Sequence, residues 1–263
     1  MDNYSTSSPP QEQEDIANEM PTDLSWKEVE RMTDGFSEEW KIGSGGFGVV
    51  YKGVHQNGQE IAVKKLHHMP GVDEKQFRNE IGILHRLRHP NIVRLIGQIY
   101  EEQERYVEYN GEIVCAKLVD RVICLEYLNN GSLQNYISEE SSGLPWHERY
   151  KIIKGICEGL NYLHANKIFH LYLKPANILL DKNMQPKIAD FGLSKLFSGS
   201  HKSHTTTVHL NGTYGFMPSE YIEKGIISDK SDVFSLGAII ILIMSGPKGR
   251  NSDLPPQDFI EVV

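Results

Sequence analysis

Cysteine is scarce in this chain of 263 residues, which contains three cysteines and no CxxC pair. Cys115, Cys124 and Cys157 are far apart and have apolar neighbours. We therefore expect neither a disulfide framework nor a zinc site, and the pattern is typical of a reducing compartment. The longest apolar run, Leu236–Met244, is also much shorter than the roughly 20 residues that span a bilayer, so we expect no transmembrane segment.

Basic residues are absent from the first 26 residues, which carry six acidic side chains. The net charge is −8 for the whole chain and −2 without this segment, so we expect no basic surface for nucleic acid. The N-terminus also lacks the basic region and apolar run of a secretory signal. We interpret residues 1–23 as a disordered acidic tail, and the chain as a soluble intracellular protein.

The first half of the chain is rich in strand signals. Asn-Gly pairs at 57–58 and 110–111 favour tight hairpin turns between short apolar segments. Apolar residues at i, i+4 and i+7, namely Phe77, Ile81 and Leu84, predict an amphipathic helix over Asp73–Arg88. Strands are predicted at Trp40–Ile42, Val49–Val54, Glu60–Leu66, Ile92–Tyr100 and Val122–Tyr127, with an additional hairpin formed by Tyr106–Tyr109 and Glu112–Lys117.

The second half is mainly helical. A short lead-in helix over 24–36 precedes the strands, with Ser25 as its N-cap and Glu28 three residues later. A β-rich half followed by a helical half predicts an α+β fold with two lobes, over 37–128 and 129–263, and a cleft between them. Helices are predicted at Ser132–Ile137, Trp146–Ala165 and Ser231–Met244.

A glycine-rich segment lies between the first two strands, over residues 43–48 (GSGGFG). A single GxGxxG match is weak, and a flexible turn explains it equally simply. A dinucleotide site requires the motif to open a helix, but the following Val49-Val50-Tyr51 favours a strand. A strand, a glycine turn and a second strand instead suit a flap whose backbone N–H groups cover phosphates, because a Cβ atom would hold the backbone away.

Two charged residues accompany this flap. Lys64 follows the apolar segment Ile61-Ala62-Val63, and we expect it beneath the flap, although a single lysine is usually a solvated surface charge. Glu80 lies on the predicted helix near Ile81, from where it can face inward. We expect the two side chains to form an ion pair, because each charge alone is costly to bury.

Oxygen ligands occur in the second half. Asp190 begins an Asp-Phe-Gly triplet after the apolar segment 188–189, where a solvated turn is the plainer interpretation. As a hard oxygen ligand at a strand end, it would suit Mg²⁺. Asn177, in the segment 174–180 (KPANILL), offers a second oxygen, and Lys174 is a cation that can reach phosphate.

Together, the order and spacing of these motifs resemble the protein kinase family, and more closely the plant receptor-like Ser/Thr kinases. The resemblance extends from about Phe36 to Gly246. The strings that carry it are IGSGGFGVVYKG, IAVKKL, HPNIVRLIG, LEYLNNGSL, ADFGLSKLF, GTYGFMPSEY and SDKSDVFSLG.

The resemblance implies a two-lobed protein-kinase fold that binds ATP and Mg²⁺ and acts on a protein substrate or with a partner kinase. We expect a cytoplasmic protein that can be peripheral to the plasma membrane through partners. Asn177 and Asp190 would hold the metal, and Lys174 would hold the γ-phosphate.

The resemblance also implies roles for residues around the site. Leu125 would be the gatekeeper, and Asp232 would brace the catalytic loop. Leu84, His170 and Phe191 would form a stacked spine. The implied ATP-binding residues are Ile42, Gly43, Gly45, Gly46, Gly48, Val50, Ala62, Lys64, Glu80, Glu126, Leu128 and Leu179.

The catalytic loop departs from the family at residues 170–174, which read HLYLK where the family has His-Arg-Asp-Leu-Lys. Tyr172 stands at the position of the catalytic aspartate, and a neutral phenol is a poor proton acceptor. A positioned base contributes about 10²–10⁴ in rate. Leu171 also removes an arginine that would pair with a phosphorylated activation loop. We interpret the chain as a pseudokinase, with a slow active kinase and a sequence artefact as the alternatives.

The end of the chain is the other departure. The family continues with further helices after the one that contains SDVFSLG, so we expect a C-terminal lobe that lacks its last helices. Those helices cover apolar surface in the family. We therefore expect Phe234, Ile239 and Leu242 to be partly uncovered.

Overall fold

The computed structural model describes residues 22–67, 73–109, 111–137, 143–196, 204–207 and 211–245. Most of the predicted acidic tail and the segment after Ser245 lie outside these residues. Within them, a β-rich N-terminal lobe with one main helix is followed by a helical C-terminal lobe. The two-lobed α+β architecture predicted from the sequence is confirmed.

The N-terminal lobe is built on a six-stranded sheet, whose strands in chain order are β1 (Thr22–Asp23), β2 (Lys41–Gly45), β3 (Gly48–Val54), β4 (Glu60–Leu66), β5 (Leu95–Tyr109) and β6 (Glu112–Glu126). Their spatial order is β1-β5-β6-β4-β3-β2, and β1 alone pairs in parallel within it. Because side chains alternate along β4, Ile61 and Val63 are buried on one face. Ala62 and Lys64 therefore lie on the opposite face, which is directed towards the other lobe.

Helix α1 (Trp26–Met32) covers the buried face of the sheet, where Val29 and Met32 join the cluster that contains the buried residues of β4. The predicted capping box begins this helix. The Ser25 hydroxyl accepts a hydrogen bond from the Glu28 backbone N–H, and the Glu28 carboxylate accepts one from the Ser25 N–H at 2.8 Å. The helix thus has a stabilised start although it is only two turns long.

Two residues of the predicted tail belong to the sheet. Thr22 and Asp23 form β1 and pair with Gly97 and Gln98 of β5. Without β1, strand β5 would end the sheet with unpaired backbone N–H and C=O groups, and the short parallel strand covers part of that edge. The predicted disorder through residue 23 therefore does not extend to these two residues.

Helix α2 (Asp73–Leu84) is shorter than the predicted helix, which extends to Arg88. After Leu84 the backbone tightens, because the N–H of Leu87 donates to the Leu84 carbonyl, three residues back. The Arg88 guanidinium donates to the Leu87 carbonyl at 2.7 Å. Carbonyls at the helix end are thus satisfied by other donors, and the helix stops where the pattern alone would extend it.

Strands β5 and β6 form one continuous hairpin of two 15-residue strands. The sequence predicts a shorter strand pair with a separate distal hairpin, whereas the structure joins them in one register from Gly97 to the tip, after a shift of register between Leu95 and Gly97. Gly111 has φ of +82°, which the tight turn at the tip requires. At the junction, Arg105 donates to the buried carboxylate of Asp120 at 2.5 Å, in a stretch whose many charges conceal the strand pattern.

The helices of the C-terminal lobe are α3 (Gln134–Ile137), α4 (Trp146–Ala165), α5 (Ser219–Lys224) and α6 (Asp229–Ser245). Helix α4 has the predicted bounds and packs with α6 in one core. Arg149 of α4 donates to the carbonyls of Ile243 and Met244 at 2.7 and 2.8 Å, which closes the end of α6. The short strands are β7 (Ile168–Phe169), β8 (Ile178–Leu180), β9 (Pro186–Ile188), β10 (Lys195–Leu196), β11 (His204–Thr206) and β12 (Ile226–Ser228).

The apolar surface of α6 is more covered than the sequence suggests. Ile239 and Leu242 are buried in the main core, so the prediction that they are partly uncovered is wrong. Phe234 is exposed, with 36% of its surface accessible. None of the described helices is both long enough and apolar enough to cross a membrane.

Asp232 ties α6 to the loop that follows β7. Its fully buried carboxylate accepts hydrogen bonds from the backbone N–H groups of His170 at 2.8 Å and Leu171 at 2.7 Å. The ring Nε2 of His164 lies 2.9 Å from the same carboxylate. The bracing contact expected of Asp232 is therefore present, and it fixes the backbone of residues 170–171.

Replacement of Asp232 by alanine is expected to destabilise the fold strongly. Three donors, of which the His170 N–H is buried and those of Leu171 and His164 are partly buried, would lose their acceptor. A hydrogen bond to a charged group contributes about 1.5–3 kcal/mol. We expect Asp232→Ala to lower the free energy of unfolding by about 3 kcal/mol or more, measured by urea denaturation. The matched control is Asp229→Ala in the same helical turn, where the side chain is 45% exposed and the expected change is below about 0.5 kcal/mol. Equal effects of the two substitutions would contradict the bracing role.

Candidate active site between the lobes

The cleft-facing side of the sheet presents a small apolar surface. In the register of β3 and β4, Val50 lies opposite Lys64, and Leu125 of β6 lies opposite Ala62. Directly paired residues share a face, so all four side chains point to the cleft. Leu179 of β8 is the corresponding apolar residue of the C-terminal lobe and is partly exposed. These residues can contact an apolar, planar group placed between the lobes.

The glycine-rich turn joins β2 and β3, and its residues are glycine for different reasons. A Cβ atom on Gly48 would lie 2.3 Å from the Lys65 carbonyl oxygen, so packing within the sheet requires glycine there. A Cβ atom on Gly45 or Gly46 would meet no described atom within 4 Å. The protein's own described packing therefore does not require glycine at these two positions, whereas close approach of a ligand to the backbone would. The remaining predicted flap residues, Ile42 and Gly43, lie on β2, and Ile42 is 49% exposed.

A partly buried ion cluster connects the two lobes. The ammonium of Lys64 lies 3.0 and 3.1 Å from the two carboxylate oxygens of Glu80 on α2. It also donates to Oδ1 of Asp190 at 3.0 Å. Glu80 is 2% exposed, so its charge depends on this lysine. The ion pair expected between Lys64 and Glu80 is present, and Asp190 completes it from the other lobe.

The cluster keeps Lys64 charged. Burial lowers the pKa of Lys64, but the carboxylates of Glu80 and Asp190 outweigh it and raise the pKa above its ordinary value. Burial also raises the pKa of Asp190, while the neighbouring Lys64 ammonium lowers it by more, so that this carboxyl is ionised at neutral pH. The site therefore holds a fixed cation and a fixed anion side by side.

Asp190 and Asn177 lie next to each other through the backbone, where the N–H of Ala189 donates to the Asn177 carbonyl at 2.9 Å. The side-chain Nδ2 of Asn177 donates to the Tyr172 carbonyl at 2.7 Å, which leaves its Oδ1 as the atom available for a ligand. Asp190 has φ of +67°, a conformation that non-glycine residues adopt at a cost. One carboxylate and one amide oxygen are the donor types that Mg²⁺ binds.

Phe191 is fully buried and packs edge-on against the ring of His170, with the ring centroids 5.1 Å apart. The His170 ring also forms a 3.0 Å hydrogen bond with the Ala189 carbonyl, and burial lowers its pKa. Leu84 of α2 belongs to the same core cluster. The residues predicted to form a spine are thus in one continuous core, in an arrangement that keeps Asp190 directed at Lys64.

Tyr172 contacts both Asn177, through its backbone carbonyl, and Lys174, through its hydroxyl. Its hydroxyl oxygen is 2.7 Å from the Lys174 ammonium, which also lies 4.1 Å from the centroid of the phenol ring. Lys174 donates in addition to the hydroxyl of Thr213 at 3.3 Å. The sequence gives no signal for this contact, because Thr213 lies 39 positions from Lys174. The cation expected to reach phosphate is therefore already bound to two hydroxyl groups.

Leu171 also replaces a polar contact by an apolar one. The side chain packs against the cluster of Met217, Tyr221 and Ile227. An arginine at this position would provide a cation for a phosphorylated loop residue, and leucine provides none. The loop is held here by apolar packing, in addition to the hydrogen bond that Asp232 receives from the backbone N–H.

The connection between the lobes runs through residues 126–128. The carboxylate of Glu126 accepts the backbone N–H of Arg94 at 2.8 Å and the ammonium of Lys187 at 3.0 Å. The Glu126 side chain therefore stabilises the connection itself, and a cleft ligand would meet its backbone instead. Leu128 is buried at 7% exposure. The pairing of Glu126 with Lys187 has no signal in the sequence, since 61 positions separate the two residues.

Residues 36–250 match the model of the protein kinase domain. The chain is 44% identical over 241 residues to Cysteine-rich receptor-like protein kinase 29 of Arabidopsis thaliana, an alignment that covers 88% of this chain and 33% of that protein. It is 40% identical over 253 residues to the G-type lectin S-receptor-like serine/threonine-protein kinase SRK of the same plant, with 94% of this chain and 27% of that protein covered. The chain thus spans about a third or less of the length of these relatives. With the domain match, these identities and the cleft described above, the chain belongs to the protein kinase family, as a receptor-like Ser/Thr kinase domain.

Proposed function

We propose that this domain binds Mg-ATP in its cleft, is impaired in phosphoryl transfer to protein hydroxyls, and serves intracellular signalling mainly as a pseudokinase-like module beside a partner kinase. The observation that carries the proposal is Tyr172. It stands at the position of the catalytic aspartate, and its hydroxyl is bound to Lys174 at 2.7 Å. The residues proposed to bind Mg-ATP thus match the family, whereas the residue at the catalytic position does not.

The cleft has the groups that a nucleoside triphosphate requires. The Lys64 ammonium is fixed by Glu80 and would hold the α- and β-phosphates, with the open backbone at Gly45 and Gly46 above them. The adenine would lie between the apolar side chains of both lobes, next to the backbone of residues 126–128. The further predicted contacts are Ile42, Gly43, Gly48, Val50, Ala62, Glu126, Leu128 and Leu179.

The same cleft suits a divalent cation. Asp190 is held ionised by Lys64, and Asn177 has its amide oxygen available, so that the two would coordinate Mg²⁺ together with phosphate oxygens. When bound, the metal neutralises charge on the phosphates. Lys64, Asn177 and Asp190 do not depend on the identity of residue 172, which supports retained binding.

The proposed impairment follows from the absence of a carboxylate that accepts the proton of the substrate hydroxyl. A kinase aspartate accepts the proton of the substrate hydroxyl and orients it, and such a base contributes about 10²–10⁴ in rate. Tyr172 offers a hydroxyl in place of a carboxylate, and its ring occupies space where an aspartate leaves room for the substrate. The bond from Lys174 further holds the cation on this hydroxyl. Both effects act against transfer to a protein substrate.

A slow but active Ser/Thr kinase is the second candidate. The observation in its favour is the assembled ion cluster of Lys64, Glu80 and Asp190, with distances of 3.0 Å from the ammonium to each carboxylate. Positioning and electrostatic stabilisation persist without the base, and they supply much of the catalysis of phosphoryl transfer. The two candidates differ only in turnover, since both require Mg-ATP binding.

The cysteines support a reducing compartment. All three are free thiols in the structure. Burial raises the pKa of the Cys124 thiol to about 12, so that this group remains protonated and unreactive. We place the domain in the cytoplasm, in contact with the plasma membrane through partner proteins.

Mg-ATP is expected to raise the melting temperature of the purified domain. A ligand at one hundred times its dissociation constant stabilises the native state by about 2.7 kcal/mol. Lys64→Met is expected to reduce this nucleotide-dependent shift strongly, because it removes the cation on the phosphates. The control Lys154→Met alters a lysine of α4 that is 61% exposed and should retain the full shift. Absence of any shift in the unmodified domain would contradict the proposed binding.

Transfer of labelled γ-phosphate to added casein tests the impairment. We expect the unmodified domain to remain at the Lys64→Met background. Tyr172→Asp restores a carboxylate and frees Lys174, so its transfer should exceed that background by about 10²–10⁴. Casein labelling by the unmodified domain above background would support the slow kinase instead. A Tyr172→Asp variant that binds Mg-ATP without labelling casein would contradict the assignment of the impairment to residue 172.

A further inference from the structure

We propose that Tyr172 is itself a phosphoryl acceptor, so that the domain transfers the γ-phosphate of bound ATP once, to its own catalytic-loop tyrosine. The proposal rests on the proposed binding of Mg-ATP. It assigns to this cleft an intramolecular reaction and a modification site. If the loss of the base were the only change, the cleft would bind nucleotide without reaction.

The length of the tyrosine side chain is the first argument. In a kinase, the aspartate carboxylate accepts a hydrogen bond from the substrate hydroxyl, which therefore lies one hydrogen-bond length, about 2.7 Å, beyond the carboxylate. A phenol hydroxyl extends farther from its Cα atom than a carboxylate oxygen does, by roughly 3 Å, which is about that same length. Tyr172 therefore brings its own hydroxyl close to the position that a substrate hydroxyl would occupy.

The contacts of the hydroxyl are the second argument. The Tyr172 oxygen is 2.7 Å from the ammonium of Lys174, the cation assigned to the γ-phosphate. Lys174 is positioned by the Thr213 hydroxyl at 3.3 Å. A cation that contacts both the acceptor oxygen and the phosphoryl group would draw them together and stabilise negative charge on the oxygen.

The fixed backbone of the loop is the third argument. The carbonyl of Tyr172 accepts the side-chain N–H of Asn177 at 2.7 Å, so a proposed metal ligand and the acceptor are joined directly. The two preceding residues, His170 and Leu171, are held by Asp232 at 2.8 and 2.7 Å. An acceptor fixed in this way needs no docking of a second protein, and intramolecular placement can replace much of what a base contributes.

The reaction balances without another reagent. The bond between the γ-phosphorus and the oxygen that bridges to the β-phosphate breaks, and a bond between that phosphorus and the Tyr172 oxygen forms. The phenol proton passes to solvent, and ADP leaves. Because the product remains attached to the loop, the reaction stops after one phosphate per chain. The resulting phosphotyrosine has Lys174 as an adjacent cation, which stabilises the modified state.

The test is peptide mapping by mass spectrometry after the purified domain is incubated with Mg-ATP. We expect phosphate on Tyr172, up to one per chain, with a first-order rate that is independent of protein concentration. Tyr172→Phe retains the ring and should abolish this phosphate, while Lys64→Met should reduce it to background. The matched control Tyr150→Phe changes a tyrosine of α4 that is 61% exposed and should leave it unchanged.

Two further measurements exclude other sources of the phosphate. The unmodified domain mixed with Lys64→Met should leave the latter unlabelled at Tyr172, because transfer is within one chain. Equal labelling of the Lys64→Met chain would overturn the proposal, since it would identify another molecule as the donor enzyme. Melting curves without nucleotide establish that each variant folds.

The same samples separate this inference from the proposed function. A melting-temperature shift with Mg-ATP but no phosphate on Tyr172 would overturn the acceptor role and leave nucleotide binding intact. In that case the tyrosine would only block the substrate position. Absence of both the shift and the phosphate would overturn the two proposals together.

Discussion

A lysine ammonium is tolerated inside a protein only where carboxylates surround it, and Lys64 satisfies this condition with groups from two lobes. Glu80 approaches from α2 and Asp190 from the segment after β9, each at 3.0 Å. The loss of either carboxylate would leave charge in a buried place, so the positions of β4, α2 and residue 190 are mutually dependent. The cleft therefore has a defined width before any ligand enters it, and the other features of the site are arranged around this ion cluster.

In the C-terminal lobe, two further contacts fix the loop and the segment that carry the remaining site residues. Asp232 holds the backbone of the loop after β7 through two N–H groups, and the fully buried Phe191 fixes the segment that contains Asp190. Both contacts involve the backbone or apolar packing. They are therefore unaffected by the leucine and tyrosine at residues 171 and 172, where the family has arginine and aspartate. The backbone of the loop is thus fixed by contacts that do not use the side chains of residues 171 and 172, the two positions whose chemistry departs from the family.

Local patterns predict much of this molecule, and long-range contacts account for what they miss. The capping box at Ser25, the bounds of α4 and the ion pair of Lys64 with Glu80 follow from short-range spacing or from motif order. The end of α2 does not, because the Arg88 side chain binds carbonyls that an apolar pattern cannot register. The sequence also predicts two separate segments where β5 and β6 form one continuous hairpin. Charged residues such as Arg105 and Asp120, which pair across the strands, interrupt the apolar pattern there. The bond of Lys174 to Thr213 joins residues 39 positions apart and has no sequence signal.

Tyrosine at position 172 changes the chemistry of the loop in a more specific way than a small residue would. Alanine or glycine would remove the base and leave an open space for water or a substrate. A tyrosine removes the base, fills the space and introduces a hydroxyl, which Lys174 contacts at 2.7 Å. In our proposals, the residue that impairs transfer to another protein is thus also the nucleophile best placed in the cleft. The contacts of the ion cluster do not involve the side chain of residue 172. We therefore expect separate groups to set the free energy of nucleotide binding and the fate of the γ-phosphate, so that one substitution can alter the second without the first.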